Sequence, residues 1–209
     1  MSQRQSTSND LSRRYDEVAP KWHASIMKLG YDDAYTLLVS ALPQPATSLH
    51  VLDVGCGSGA FAQAFLTAGL HQTKHIHLLD PSREMLNRAR TLLTPYNVPM
   101  TCHQAGIGTS SIKSGGIDTL LCAHVIEHVD DPIGALKWIR SCLSSGGQLA
   151  LSVSKPHWCT AILRWKWGHK AYHPHQVESL LRGAGFTRIT PVPFLKGPPS
   201  RTSMGYVAS

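Results

Sequence analysis

The chain has 209 residues, 42% of them hydrophobic, and a formal net charge of +7 from 20 Lys and Arg against 13 Asp and Glu. That length suits one domain with a sizeable core, and no apolar run approaches the roughly 18 residues of a membrane-spanning helix. The polar opening MSQRQSTSND lacks the apolar stretch of a secretory signal; residues 1–10 read as a flexible tail and the expected compartment is the cytoplasm.

From residue 49 onward, short apolar runs alternate with helical patterns. Residues 11–42 read as a helical cap before the first strand. LHVLDV (49–54) is a buried strand and SGAFAQAFLTAG (58–69) the helix after it. HIHLLD (75–80) is the second strand, and SREMLNRARTLL (82–93) a helix with Ser82 as its N-cap. VPMTCHQ (98–104) and IDTLLCA (117–123) are the third and fourth strands. PIGALKWIRSCLS (132–144) is a helix with Pro132 in its first turn, followed by a fifth strand, GQLALSVS (147–154). PHQVESLLRGAG (174–185) is a helix stopped by glycine. FTRITPVPF (186–194) and RTSMGYVAS (201–209) close the chain as strands joined by LKGPPS without a helix. Such alternation implies an α/β fold, a parallel sheet covered on both faces, with an antiparallel hairpin at one edge.

The cysteines, Cys56, Cys102, Cys122, Cys142 and Cys159, are odd in number and widely spaced. They read as reduced thiols, not as a disulfide frame or a zinc site. The excess positive charge lies wholly in residues 151–209, which hold eight Lys or Arg and one acid, Glu178. Such a face is either a solvated surface or one turned toward an anionic substrate or partner, and charge alone does not choose between them.

VLDVGCGSG (51–59) carries the first functional signal. A strand, then Gly-x-Gly, then a helix places backbone N–H groups and a positive helix end beside a ligand. With Ala60 the run also satisfies the dinucleotide pattern. Asp53 separates the candidates. A pyrophosphate disfavours a carboxylate two residues before the first glycine. S-adenosylmethionine carries an ammonium and a sulfonium that favour one, and its ribose suits Asp80 at the end of the second strand. Asp53 could instead only satisfy backbone N–H groups of the turn.

These residues resemble a class I S-adenosylmethionine-dependent methyltransferase of the small-molecule type. The likeness covers about residues 11–209 and is carried by VLDVGCGSG, LLDPSREML (78–86), IDTLLCAHVIEHVDDP (117–132) and LSSGGQLALSVS (143–154), with YDEVAPKWH (15–23) similar to the N-terminal helix that closes over the cofactor. It implies a Rossmann-like three-layer sandwich with a seven-stranded sheet ordered 3-2-1-4-5-7-6 and strand 7 antiparallel. Residues 1–209 would be one methyltransferase domain, its cofactor-binding core at 49–154, a substrate-side insert at 155–172, and the C-terminal helix and strands at 173–209. Asp53, Gly55, Cys56 and Gly57 would line the methionine end of the cofactor. Asp80 would bind the ribose, with Pro81 and Met85 beside the adenine. Tyr15 would cover the cofactor, and His124 would face the sulfonium and the substrate. Many relatives place an acid after the third strand to hold the adenine amine. This chain reads HQAGIG (103–108), so Gln104 or a backbone carbonyl near Ala105 would have to serve.

Methyl transfer from a sulfonium is an in-line displacement that chiefly needs alignment, with a general base when the nucleophile is a hydroxyl or a protonated amine. In HVIEHVDDP (124–132), His124 is the candidate base. Three readings of the run stay open. A His-x-x-Glu-His zinc peptidase motif needs a long helix, which Pro132 opposes. Ubiquinone-pathway and small-RNA O-methyltransferases bind a metal through Glu-x-x-Glu-His here. This chain keeps Glu127 and His128 but has His124 in place of the first Glu, and His169, His173 or His175 would have to complete the set. In the third reading, Glu127 and His128 fix the turn beneath the cofactor and no metal is bound.

The insert 155–172 offers Trp158, Trp165, Arg164 and Lys166 as candidate substrate contacts, able to stack on a planar acceptor and hold an anion, or to form an amphipathic lid. The expected function is methyl transfer to a small anionic or aromatic acceptor, leaving S-adenosylhomocysteine. The alternatives are a tRNA or other RNA methyltransferase using the basic C-terminal face, and a non-catalytic cofactor-binding subunit. The residues do not reveal the oligomeric state.

Overall fold

The computed structural model describes residues 23–43, 49–70, 72–109, 112–157 and 170–209. Its elements are α1 (Tyr31–Ser40), β1 (Leu49–Val54), α2 (Ala60–Ala68), β2 (Thr73–Asp80), α3 (Arg83–Leu93), β3 (Met100–Gln104), β4 (Ile117–Ala123), α4 (Pro132–Cys142), β5 (Leu143–Ser154), α5 (Pro174–Gly183), β6 (Ile189–Val192), α6 (Gly197–Thr202) and β7 (Ser203–Ala208). The sheet order is β3-β2-β1-β4-β5-β7-β6. The first five strands pair in parallel, and β7 is antiparallel to both β5 and β6.

Side chains alternate across each strand, so the sheet has two apolar faces. Val51, Ile76, Leu78, Leu121 and Ala150 pack with Leu38 of α1, Phe61 and Phe65 of α2, and Leu86 and Leu93 of α3. Leu52, Val54, Leu120, Leu149, Leu151 and Val153 pack with Leu136 and Ile139 of α4 and Val177 and Leu181 of α5. The central strands β1, β4 and β5 are largely apolar because both of their faces are covered. No helix among the described residues is long and apolar enough to cross a membrane.

Strands β2, β3, β6 and β7 differ from the expected bounds by up to three residues at an end, and two regions differ by more. Strand β5 begins at Leu143, not at residue 147, and takes Leu143 and Ser144 from the expected helix. Leu143 pairs with Ile117 and is buried, Ser144 Oγ donates to Asp118 Oδ1 at 2.9 Å, and a register shift absorbs the residues before Gln148. The connection between β6 and β7 contains α6, where no helix was expected. Pro198 and Pro199 sit in its first turn, where a missing N–H leaves no helical bond unmade.

Gly205 in β7 is the tightest point between sheet and cap. A Cβ there would stand 2.9 Å from Val192 O and 3.1 Å from Leu38 and Phe194. Gly205→Ala is expected to destabilise the fold by about 1–3 kcal/mol through overpacking, read as a lower urea midpoint with an unchanged slope.

Candidate functional site

In a sheet ordered this way, chain direction across the strands reverses between β1 and β4, and the crevice outside their carboxyl ends is where ligands bind. Two loops meet there. The loop after β1 runs from Gly55 to Gly59, with φ of +63° at Gly55, +50° at Gly57 and +87° at Gly59. A Cβ at Gly55 would overlap the side chain of Val125, and one at Gly59 would lie 3.0 Å from the backbone of Ala89 in α3. The glycines therefore serve close approach as well as turning. The Gly55 and Cys56 N–H groups both donate to Leu79 O, at 2.7 and 3.1 Å, which ties the loop to β2.

Asp53 and Asp80 stand beneath this loop. Asp53 is 1% exposed, and its Oδ2 accepts the Ala62 N–H at 3.2 Å. The turn-satisfying role considered from sequence is thus present in the structure. Burial raises the carboxyl to about 8; the Ala62 hydrogen bond lowers it and the nearby Asp80 raises it further. Asp80 accepts the Gly57 N–H at 2.9 Å through Oδ2 and the Ser82 N–H at 2.8 Å through Oδ1. It holds the glycine loop against the start of α3, where Ser82 Oγ caps the helix by accepting the Met85 N–H at 3.0 Å. Met85 is itself 1% exposed. Gln104 is exposed; its Nε2 donates to Pro81 O at 3.4 Å, and the half-buried Ala105 follows it.

The second loop begins at His124, which holds φ +57°, a left-handed conformation uncommon outside glycine. Its N–H donates to Ser152 O at 2.9 Å. Its Nδ1 lies 3.2 Å from Glu127 Oε1 and 3.0 Å from Ser154 Oγ, and its Nε2 lies 3.3 Å from Ser152 Oγ. A carboxylate can only accept, so Nδ1 carries the proton and Nε2 the basic lone pair. The ring meets Tyr31 edge-on, with centroids 5.2 Å apart, and Tyr31 Oη lies 2.8 Å from Ser203 Oγ.

Glu127 is 2% exposed, and its Oε1 also accepts the Ser154 N–H at 2.6 Å. Burial pushes this carboxyl up, but hydrogen bonds from His124 and Ser154 hold it below its ordinary value. Glu127 Oε2 and Tyr172 Oη are buried and find no partner among the described residues. Ser152 Oγ, His124 and Glu127 are connected like a serine hydrolase triad, but Ser152 is fully buried and open to no substrate. The network orients the imidazole.

The structure thus brings Asp53, Gly55, Cys56, Gly57, Asp80, Pro81, Gln104 and His124 to one end of the sheet. Tyr15, Trp158, Arg164, Trp165, Lys166 and His169 lie outside the described residues. His173 and His175 stack at the start of α5, with centroids 5.6 Å apart. Among the described residues no three His, Cys, Asp or Glu side chains stand where they could share a metal ion. Sequence reasoning missed Tyr31, Ser152, Ser154, Tyr172 and Ser203. The one signal was the Ser-x-Ser ending of an otherwise apolar strand, two hydroxyls on one face beside the crevice.

Residues 24–190 match the family model of a methyltransferase domain. A ubiquinone biosynthesis O-methyltransferase of Xanthomonas axonopodis pv. citri is 30% identical over 115 residues, 54% of this chain and 46% of that protein. The matched stretch therefore spans about half the length of such curated relatives. Among solved structures, a SAM-dependent methyltransferase of Thermotoga maritima, described as a possible histamine N-methyltransferase, has a TM-score of 0.73 at 18% identity over 95% of this chain and 99% of that one. A Haloferax volcanii methyltransferase, solved in complex with the Trm112 methyltransferase activator, has a TM-score of 0.75 at 15% identity over 95% of this chain and 96% of that one. At these identities the structural likeness concerns the fold.

Proposed function

The chain belongs to this methyltransferase-domain family of S-adenosylmethionine-dependent enzymes, and from that premise we propose that it methylates a small acceptor through a hydroxyl or similarly protonated nucleophile, with His124 as the base. The observation that carries the proposal is the His124–Glu127 pair beside the glycine loop: one imidazole nitrogen is anchored to a buried carboxylate, and the other meets only the Ser152 hydroxyl, at 3.3 Å. The names of the 30%-identical relatives, O-methyltransferases, point to the same acceptor atom.

The site fits the cofactor's chemistry. Asp53 places a carboxyl where a cationic ligand end offsets the cost of its ionisation. Asp80 is a rigid acceptor at the end of β2, suited to ribose hydroxyls. Gly55 lets the loop lie directly against Val125 of the His124 loop, which any Cβ there would prevent. The cofactor supplies an activated methyl on sulfur. His124 would take the proton that the acceptor hydroxyl loses, its Nε2 exchanging the Ser152 Oγ contact for the acceptor. Glu127 keeps the imidazole in the required tautomer and stabilises its protonated form.

Purified protein is incubated with methyl-labelled S-adenosylmethionine and host extract, which is then separated into small molecules, lipid, RNA and protein. Label is expected in the small-molecule fraction and absent with Asp53→Ala. Label in RNA would assign the basic C-terminal face to catalysis, and cofactor binding without transfer into any fraction would overturn the enzymatic reading of this site.

A further inference from the structure

The sheet face opposite α1–α3 carries a second cluster of polar side chains, away from the crevice. No helix links β3 and β4 among the described residues. On that face, adjoining strands set His50 against His75 and Leu79 against His103, and alternation along β2 adds His77. All four histidines are half-buried. Their rings form a row: His50 and His75 centroids are 6.3 Å apart, His75 and His77 4.6 Å, and His77 and His103 5.3 Å. A sheet position of this kind ordinarily carries a β-branched or aromatic residue. Four imidazoles side by side are an arrangement that packing alone does not require.

Two of these rings are already paired. His77 Nδ1 lies 3.1 Å from His103 Nε2. Two nitrogens bound to one metal at about 2.0–2.1 Å stand roughly 2.9 Å apart in a square plane and roughly 3.3 Å apart in a tetrahedron. The observed separation falls between the two. The lone pairs are also available, because burial and the neighbouring imidazoles keep His77 near a value of about 4 and His75 and His103 below the ordinary one. No carboxylate contributes to those shifts, so the donor set is neutral nitrogen.

We propose that His77 and His103 chelate one divalent transition-metal ion of the imidazole-preferring group, Zn²⁺, Ni²⁺ or Cu²⁺. Among the described residues no third protein ligand converges here, so water completes the coordination sphere. The ion replaces the proton shared between the two rings and clips the edge strand β3 to β2. The strands it joins continue directly into Asp80 and Gln104 at the cofactor side. The site is separate from the His124 loop and independent of the acceptor.

The test is calorimetric titration of the full chain with Ni²⁺ and Zn²⁺, on wild type, His77→Gln, His103→Gln and His175→Gln. Binding of S-adenosylhomocysteine checks that each variant is folded. One ion per chain is expected, with affinity reduced about 100-fold in His77→Gln and in His103→Gln because each removes the chelate partner, and unchanged in His175→Gln. Retained affinity in either of the first two variants overturns the site. So does an equal loss in His175→Gln, or no binding by the wild type.

Discussion

Binding of S-adenosylhomocysteine is expected to tighten about tenfold per pH unit from acid pH up to about pH 8 and then level off, with close to one proton released per ligand at neutral pH. The cause is Asp53. In the free protein, burial raises its carboxyl to about 8, so it is neutral at physiological pH. In the proposed binding mode the ligand's ammonium needs it charged. The ligand must therefore expel a proton, and that expulsion weakens binding as the pH falls. Titration calorimetry in two buffers of different ionisation enthalpy measures the proton directly. Asp53→Asn keeps an oxygen for the Ala62 N–H but loses the charge. It is expected to bind about 100-fold more weakly at pH 8, the loss of one charge-assisted bond of roughly 2–3 kcal/mol, with no pH dependence.

The stability of the free protein moves the other way. The folded-state value lies above the ordinary 3.8, so the neutral form favours folding. Stability is complete below 3.8 and is lost as the pH rises toward 8. Without ligand, Asp53→Asn is therefore expected to melt higher than wild type at pH 7. Flat affinity with no proton release would reduce Asp53 to an acceptor for the turn.

Glu127→Ala is expected to lower stability by about 3–5 kcal/mol, the usual effect of removing one member of a buried charged and hydrogen-bonded group. The substitution strands the Ser154 N–H, which donates to Glu127 at 2.6 Å, and frees His124 from the contact that holds its left-handed backbone in place. Glu127→Gln separates structure from chemistry. Its amide oxygen still accepts from Ser154, so about 1–2 kcal/mol is lost, while methyl transfer falls by about 10²–10⁴ if the charge tunes the base. Glu127 sits below its ordinary 4.5 in the folded state, so its contribution is present above 4.5 and lost as the pH falls through the folded value. Urea midpoints measured from pH 7 down to pH 3 should drop steeply in wild type and more gently in Glu127→Gln. A Gln variant with wild-type turnover would assign Glu127 to the fold alone and remove the support for His124 as base.

Most of the fold was legible because its signals are local. Strands β1 and β4 were readable to the residue, since both are short, largely apolar runs set off by flanking polar and glycine residues. The Ser82 cap was readable because a side-chain oxygen three residues before an N–H satisfies it whatever the rest of the chain does. The start of β5 was not readable: Leu143 and Ser144 suit a helix as well as a strand, and Ile117 and Asp118 from a distant strand capture them. Helix α6 was missed because GPPS reads as turn, and two prolines in a first helical turn look like the end of structure rather than its beginning.

The site divides in the same way. Sequence by itself determined the glycine loop, the two aspartates and the run that holds His124 and Glu127, because each lies in a short segment whose spacing carries its chemistry, and the resemblance to the family supplied the sheet order; the pairing of His124 with Glu127 came from the structure. Only the tertiary structure decided what surrounds them. It placed Ser152, Ser154 and Tyr31 around one imidazole, with Ser203 behind Tyr31, residues drawn from three distant elements. It buried Asp53, which raises its carboxyl to about 8. It also lined up His50, His75, His77 and His103 into one row. In the chain these are isolated histidines, and the row exists only because β1, β2 and β3 pair in parallel at one particular register, where a shift by a single residue would turn each strand's side chains to the opposite face.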